Sequence, residues 1–162
     1  MNYPYQQKIL SLPDLLKKVT GWRKNGATLV FTNGCFDILH LGHVEYLQQA
    51  SELGDFLVVG MNSQASVSRL KGPNRPIQDE KSRAAVLASL ACVDAVCIFE
   101  EISPETVIHT LSPDILVKGG DWKPSEILGS DWVIAHGGKV VSIPFIDGYS
   151  TTRIEQKIKN QP

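Results

Sequence analysis

Short unbroken runs of apolar residues alternate along the chain with longer stretches in which apolar residues recur at helical spacing. A strand buried on both faces of a parallel sheet shows such a continuous apolar run. The runs therefore predict five parallel strands. Their sequences are ATLVFTNG (27–34), DFLVVGMN (55–62), DAVCIFE (94–100), DILVKGG (114–120) and KVVSIPF (139–145).

The stretches between these runs have the spacing and the end signals of helices. The first predicted helix follows the N-cap Ser11 and ends before Gly26. The helix KSRAAVLASLA (81–91) is apolar almost all round, which predicts that it is well covered. A short helix precedes a polar loop that reaches Asp79, and further helices are predicted within 103–112, 125–138 and 150–158. The helix after the first strand carries a predicted buried stripe of Leu41, Val44, Leu47 and Ala50.

Strands that alternate with helices at this pace predict a single α/β domain, a Rossmann-like doubly wound parallel sheet with helices on both faces. We expect the domain to cover 1–162, with an N-terminal helical segment (1–26) and an α/β core (27–158). Crossover connections should be right-handed. Ligands should bind beyond the carboxyl ends of the strands, near the point where the strand order reverses.

The composition and net charge restrict the kinds of binding partner that the chain is expected to have. The 162 residues carry 16 basic and 17 acidic side chains, a formal net charge of −1, so neither a nucleic-acid partner nor a polybasic membrane anchor is indicated. No apolar run approaches the length of a membrane span, and no export signal is visible. The three cysteines form no C-x-x-C pair, which indicates a reducing compartment. We therefore expect a cytoplasmic protein in which a local group of residues holds any phosphate.

The candidate chemistry lies in TNGCFDILHLGHVEYL (32–47), where the first strand run leads into a helix. His40 and His43 are three residues apart, so they share one face at a helix start. Gly42 between them lets a phosphate approach the backbone, and the free N–H groups of a helix N-terminus attract anions. Asn33 and Gly34 are expected to form the tight turn.

Other interpretations compete with this phosphate site. Two histidines near a helix start are often ordinary polar surface residues. Cys35, His40 and His43 could be three zinc ligands, although the spacing matches no common structural site and no fourth ligand is evident. A dinucleotide fold is disfavoured because G-x-G-x-x-G is absent after the first strand, and a Walker A sequence is absent too.

The segment GCFDILHLGH resembles the H-x-G-H signature of the nucleotidyltransferase superfamily, in its cytidylyltransferase-like branch. The blocks LVVGMNSQASVSRLKGPNRPI, RAAVLASLACVDAV, DILVKGGDW and GYSTT are similar to the adenylyltransferase half of bifunctional ADP-heptose synthases, from about Lys8 to Ile158. The resemblance implies transfer of AMP from ATP to D-glycero-β-D-manno-heptose 1-phosphate, with release of pyrophosphate, for the lipopolysaccharide core.

The sugar-kinase half of those enzymes is not in this sequence. The resemblance therefore implies a stand-alone version, with a separate heptose 7-phosphate kinase in the same pathway. The resemblance alone also suggests a homodimer. We expect Mg²⁺ to arrive with ATP, since no tight carboxylate cage for a protein-held metal is visible.

The expected catalytic residues are His40 and His43, which would hydrogen-bond the α- and β-phosphate oxygens, and Lys118, a point charge at a strand end. Ser150, Thr151 and Thr152 would cap the last helix and hold the β- and γ-phosphates, as the superfamily's S-T-T block suggests. Further nucleotide or phosphate contacts are expected from Asn33, Gly34, Phe36, Asp37 and Gly42.

Lys71 and Arg75 lie in a Gly/Pro-containing loop that could close over a ligand, although solvated loop charges are commoner. Arg83, on an otherwise apolar helix, suggests an ion pair or a phosphate contact. Asp37 could hold a backbone N–H, a substrate hydroxyl or a histidine ring. The remaining substrate or lid candidates are Asn62, Gly119 and Asp121.

Two other functions stay open at this point. One is a cytidylyltransferase acting on glycerol 3-phosphate or another small phosphate. The stretch FIDGYSTTR lacks the arginine that related cytidylyltransferases carry before the S-T-T block, which argues mildly against glycerol 3-phosphate. The other is a nucleotide-binding module without catalysis, which would not need a paired histidine clamp.

Overall fold

The structure is a computed structural model that describes residues 3–160. Its strands form one six-stranded, all-parallel sheet. The strands are β1 (Ile9–Leu10), β2 (Leu29–Gly34), β3 (Phe56–Asn62), β4 (Ala95–Phe99), β5 (Ile115–Gly119) and β6 (Lys139–Ile143). The helices are α1 (Leu12–Lys24), α2 (Leu41–Ser51), α3 (Gln64–Lys71), α4 (Glu80–Ser89), α5 (Glu105–Leu111), α6 (Ser130–Ala135) and α7 (Thr151–Lys159), with 3₁₀ turns at Pro4–Lys8 and Pro124–Glu126.

The strand order is β1-β4-β3-β2-β5-β6, so β2 lies inside the sheet. From β2 the chain adds β3 and β4 on one side and then crosses to add β5 and β6 on the other. The order therefore reverses between β2 and β5, which pair directly through Val30–Ile115 and Thr32–Val117. The predicted doubly wound sheet is confirmed. Its switch point lies at the carboxyl ends of β2 and β5.

Helices cover both faces of the sheet, and two apolar cores result. Helices α2 and α4 pack on one face, where Leu47 and Leu87 are fully buried. Helices α1, α5 and α6 pack on the other, where Leu15, Ile108 and Val133 are buried. No helix in the described part of the chain is long and apolar enough to cross a membrane.

The N-terminal segment was predicted to be helical, but it also contains a strand. Ile9 and Leu10 form an edge strand that pairs with β4, and the Lys8 ammonium donates to the carbonyls of Leu90 and Val93. Two residues are too few to produce a periodic pattern. Residues 1–2 and 161–162 of the predicted domain lie outside the described residues.

The predicted stripe of α2 is correct for only half of its members. Leu47 and Ala50 are buried, whereas Leu41 and Val44 are 45% and 40% exposed. The buried face of α2 is completed by Tyr46 instead. Helix α4 is likewise less covered than predicted, because one of its apolar side chains, Val86, is exposed. Apolar spacing identified both helices but not which side of each faces the sheet.

Replacing either of two glycines by alanine should change the stability of the protein, in opposite directions. In β3, a Cβ at Gly60 would lie 2.7 Å from Cζ of the buried Phe31 ring, so Gly60→Ala should cost about 1–3 kcal/mol through overpacking. In α1, a Cβ at Gly21 would meet nothing within 4 Å, and Gly21→Ala should gain about 0.5–1 kcal/mol because helix interiors disfavour glycine. Urea denaturation measures both. Equal effects in the two variants would contradict the packing described for β3.

Candidate active site

The loop between β2 and α2 is built differently from the predicted Asn33-Gly34 turn. Strand β2 continues through Gly34, and the chain turns at Phe36, which has a φ of 46°. This left-handed conformation is unfavourable for a residue with a side chain. The Phe36 ring folds back over Gly34, where a Cβ would lie 3.0 Å from ring atom Cε2. Gly34 is therefore needed for a ring contact, not for a turn.

The two histidines lie side by side at the start of α2, as their spacing predicted. His40 is the N-cap residue, His43 follows in the first turn, and their ring centroids are 3.9 Å apart. A Cβ at Gly42 would lie only 3.1 Å from Nδ1 of His40 and 3.3 Å from Cβ of Tyr149. The missing side chain at Gly42 thus makes room for the imidazole of His40, and Gly42 also lines a cavity.

Burial keeps both imidazoles neutral. It lowers the pKa of His43 to about 4, with further contributions from the nearby His40 and Lys71, and burial also lowers the pKa of His40. Within residues 3–160, Nδ1 of each ring is buried without a hydrogen-bond partner. A neutral imidazole still carries one N–H donor. The pair can therefore donate hydrogen bonds to an anion without carrying charge itself.

Two adjoining cavities meet at the histidine pair, with volumes of about 220 and 190 Å³. His43, Tyr46, Phe145 and Thr151 line both of them. The larger cavity is completed by His40, Gly42, Ile146, Tyr149 and Ser150. The smaller one is completed by Asn33, Gly34, Cys35, Phe36, Asp37, Lys71, Lys118 and Gly119.

Lys118 lies at the end of β5, beside β2. Its Nζ is 3.5 Å from both the carbonyl oxygen and Oδ1 of Asn33, and it forms no ion pair with any of the described residues. Burial lowers its pKa. A third cavity of about 370 Å³, on the side of Trp122 and Ile127, shares Lys118 with the smaller cavity. An unpaired, half-buried ammonium at this junction is suited to an anionic ligand.

Asp37 lies at a cavity wall, but its carboxylate is already hydrogen-bonded to other groups of the protein. Its carboxylate accepts hydrogen bonds of 2.9 Å from the N–H groups of Ile77 and Gln78 and from the guanidinium of Arg75. Burial alone would raise the pKa of Asp37, but these hydrogen bonds outweigh it and lower the pKa. Of the three roles considered for Asp37, hydrogen bonding to backbone N–H groups is thus confirmed. Arg75 also pairs with Glu155, so both its partners are carboxylates of the protein.

Arg83 and Asn62 were expected near the substrate, but both lie beneath the site. The Arg83 side chain is 1% exposed and donates to the carbonyls of Cys35 (2.7 Å) and Asn62 (2.9 Å). Arg83 forms no ion pair with any of the described residues, contrary to one of the two expectations for it. Asn62 is buried and donates to Ser66. Arg83 therefore clamps the ends of β2 and β3 together, directly before the left-handed Phe36.

The predicted residues Ser150, Thr151 and Thr152 at the start of α7 have different surroundings. The Ser150 hydroxyl accepts a hydrogen bond from the N–H of Arg153, which confirms the predicted N-cap. Thr151 lines both cavities at the histidines, whereas Thr152 is exposed and lines neither. Asp121 is also exposed and lies outside the three cavities.

Three aromatic residues of the site were missed by sequence reasoning. The Tyr46 hydroxyl is hydrogen-bonded to Thr32 and donates to the carbonyl of Val117, which joins α2 to β2 and β5. Tyr46 follows His43 by three residues, so helical spacing could have found it. Phe145 ends the predicted strand run KVVSIPF and Tyr149 belongs to the GYSTT block, but in the structure both lie in the irregular segment before α7.

The described residues contain no group of three or more His, Cys, Asp or Glu side chains placed to hold a metal ion. The zinc interpretation of Cys35, His40 and His43 therefore has no support in this structure. What the site offers instead is a paired donor at a helix N-terminus, with a lysine and a threonine, around two adjoining cavities that share His43 and Thr151. On a doubly wound sheet, at its switch point, these features define a nucleotide- or phosphate-binding α/β protein.

Comparison with known proteins places the chain within that class. Residues 31–157 match the cytidylyltransferase-like family, and the chain belongs to it. The bifunctional protein HldE of Syntrophotalea carbinolica is 52% identical over 154 residues, which are 95% of this chain and 31% of that protein. HldE of Trichlorobacter lovleyi is 52% identical over 151 residues, 93% of this chain and 31% of that protein.

The chain thus spans about a third of the length of these relatives. The expected likeness to one part of a bifunctional enzyme is confirmed. Among solved structures, the lipopolysaccharide core biosynthesis protein of Thermoplasma volcanium superposes with a TM-score of 0.62 at 33% identity. The match covers 77% of this chain and all of that one.

The neutral histidine pair predicts a specific titration. His43 should remain neutral at pH 6 and titrate near pH 4, and His40→Ala should raise its pKa because a neighbouring positive charge is removed. Between pH 6.5 and about 4 the unfolded chain binds a proton at His43 that the folded chain does not. The free energy of unfolding should therefore fall as the pH drops through that window.

NMR of the imidazole carbons measures the pKa, and denaturation at several pH values measures the stability. A His43 that titrates near pH 6.5 would contradict the burial described here.

Proposed function

We propose that this chain is an adenylyltransferase that transfers AMP from ATP to D-glycero-β-D-manno-heptose 1-phosphate and releases pyrophosphate. The observation that carries the proposal is the neutral His40–His43 pair: His43 lines the larger cavity with His40 and Thr151, and the smaller cavity with Lys118 and Thr151. The substrate class is supported by 52% identity to HldE proteins over most of the chain. It is also supported by the resemblance of the LKG-x-x-RPI, VKGGDW and S-T-T blocks to ADP-heptose synthases.

The attacking group needs no general base. A sugar phosphate has a second pKa of about 6, so its oxygen is already ionised at neutral pH. That oxygen bonds to the α-phosphorus of ATP as the bond from phosphorus to the α,β-bridging oxygen breaks, and the electron pair leaves with pyrophosphate. A His43 with a pKa of about 4 is a poor base at pH 7. The neutral imidazole of His43 is instead suited to donate a hydrogen bond.

The difficulty of the reaction is to bring two anions together and to stabilise charge at the α-phosphate. His40 and His43 donate to the α- and β-phosphate oxygens, and the ammonium of Lys118 offsets their charge. The free N–H groups at the start of α7 and the Thr151 hydroxyl hold the β- and γ-phosphates. These assignments use the cavity-lining residues, and they leave Asp37, Asn62 and Arg83 as residues that shape the site.

The nucleotide enters as its Mg²⁺ complex in this proposal. The described residues offer no carboxylate cluster for the ion, so the triphosphate oxygens and water would be its ligands. When bound, the ion neutralises part of the triphosphate charge. A separate heptose 7-phosphate kinase in the same pathway and a homodimer stay predictions.

Pyrophosphate release measured with ATP and with CTP against a panel of acceptors tests the proposal. The panel contains both anomers of the heptose 1-phosphate, a hexose 1-phosphate and glycerol 3-phosphate. We expect turnover with ATP and the β-anomer only. Turnover of CTP with glycerol 3-phosphate would make the chain a cytidylyltransferase instead. ATP binding with no turnover of any acceptor would favour a non-catalytic module.

The histidine assignment predicts the effect of one substitution. His43→Ala should lower kcat by roughly 10²–10³, as for the loss of one transition-state donor, while the fold survives. His136→Ala is the matched control, because His136 is an exposed residue at the end of α6. Steady-state kinetics and thermal melting are measured for both. A folded His43→Ala protein with the kcat of the parent would remove the assignment.

A further inference from the structure

Helix α7 begins at the active site, but apolar packing does not hold it firmly there. None of its nine residues, Thr151–Lys159, is buried, and Ile158 is 62% exposed. Apolar burial is what holds most helices against a sheet. Since Ile154 is only half-buried, other contacts must help to keep Thr151 at the two cavities it lines.

A chain of ion pairs connects α7 to the rest of the site. Arg75, in the loop between α3 and α4, donates from Nη1 to Asp37, 2.9 Å away, and pairs through Nη2 with Glu155 of α7. The side chains of Asp37, Arg75 and Glu155 are only 1%, 19% and 16% exposed. Among the ion pairs of residues 3–160, Arg75–Glu155 is the one that joins α7 to another element.

The three members belong to three segments that surround the opening. Asp37 precedes His40 in the loop between β2 and α2, and its other hydrogen bonds fix the Arg75 loop. Glu155 follows Thr151 by four residues, so both lie on the same face of α7. An anchor at Glu155 therefore orients the face that presents Thr151. Partial burial of the pair weakens screening by water and salt.

We propose that Glu155 is a positioning residue, which acts through Arg75 and Asp37 to hold the start of α7 against the histidine pair. It touches neither substrate, and its role is to keep Thr151 and the free N–H groups of α7 where a triphosphate would lie. The consequence for nucleotide binding rests on the proposed function. The anchoring of the helix does not.

Glu155→Gln tests this inference without leaving a buried charge unpaired, because Arg75 retains Asp37. We expect faster amide hydrogen exchange in α7 than in the parent protein, with unchanged exchange in β2 and β3. The dissociation constant for ATP, measured by calorimetry, should rise about tenfold, which corresponds to about 1.4 kcal/mol. In turnover assays KM for ATP should rise with it, while kcat changes little.

Glu45→Gln is the matched control, since Glu45 is an exposed carboxylate of α2 without an ion pair among the described residues. It should leave exchange in α7 and ATP affinity unchanged. Exchange in α7, or ATP affinity, that is the same in Glu155→Gln as in the control would overturn the inference. A parent protein that turns over no acceptor would instead overturn the proposed function, because the exchange measurement needs no turnover.

Discussion

The burial of two imidazole rings against each other, with ring centroids 3.9 Å apart, is the constraint on which the rest of the site depends. At that separation two protonated rings would repel, and burial further disfavours the charged form, so the pair is held neutral. Positive potential must then come from elsewhere. A helix N-terminus and the unpaired ammonium of Lys118 provide it, in a chain whose net charge of −1 offers no general attraction for a nucleotide.

Keeping the rings together requires a scaffold that uses charged residues for its own support. Arg83 clamps two backbone carbonyls before the left-handed Phe36, and Asp37 binds the N–H groups of the Arg75 loop. A buried charge is costly unless it is paired or hydrogen-bonded. The Asp37 carboxylate is engaged in this way, whereas Arg83 donates through Nη1 only and has no partner for Nε or Nη2 among the described residues. Lys71 and Lys118 line the smaller cavity, have no carboxylate partner among the described residues and stay available to a ligand.

Most of the fold could be predicted from the chain alone, because strands buried on both faces are unbroken apolar runs and helices have caps and a regular period. The edge strand Ile9–Leu10 could not, since two residues show no period. The residues themselves placed His40, His43 and Lys118 at one edge of the sheet, the family resemblance added Thr151, and the structure has all four at the cavities there. Sequence reasoning missed Phe145 and Tyr149, which in the structure lie in the irregular segment before α7.

The features that follow from the chain alone are local: five of the six strands with the helices between them, the N-caps Ser11 and Ser150, and two histidines on one face of a helix start. Which side of α2 is covered and which charged side chains line a cavity depend on the folded arrangement. The physical reason is that burial and pairing depend on groups far apart in the chain. Asp37, Arg75 and Glu155 meet only because β2, the loop before α4 and α7 converge at the same end of the sheet.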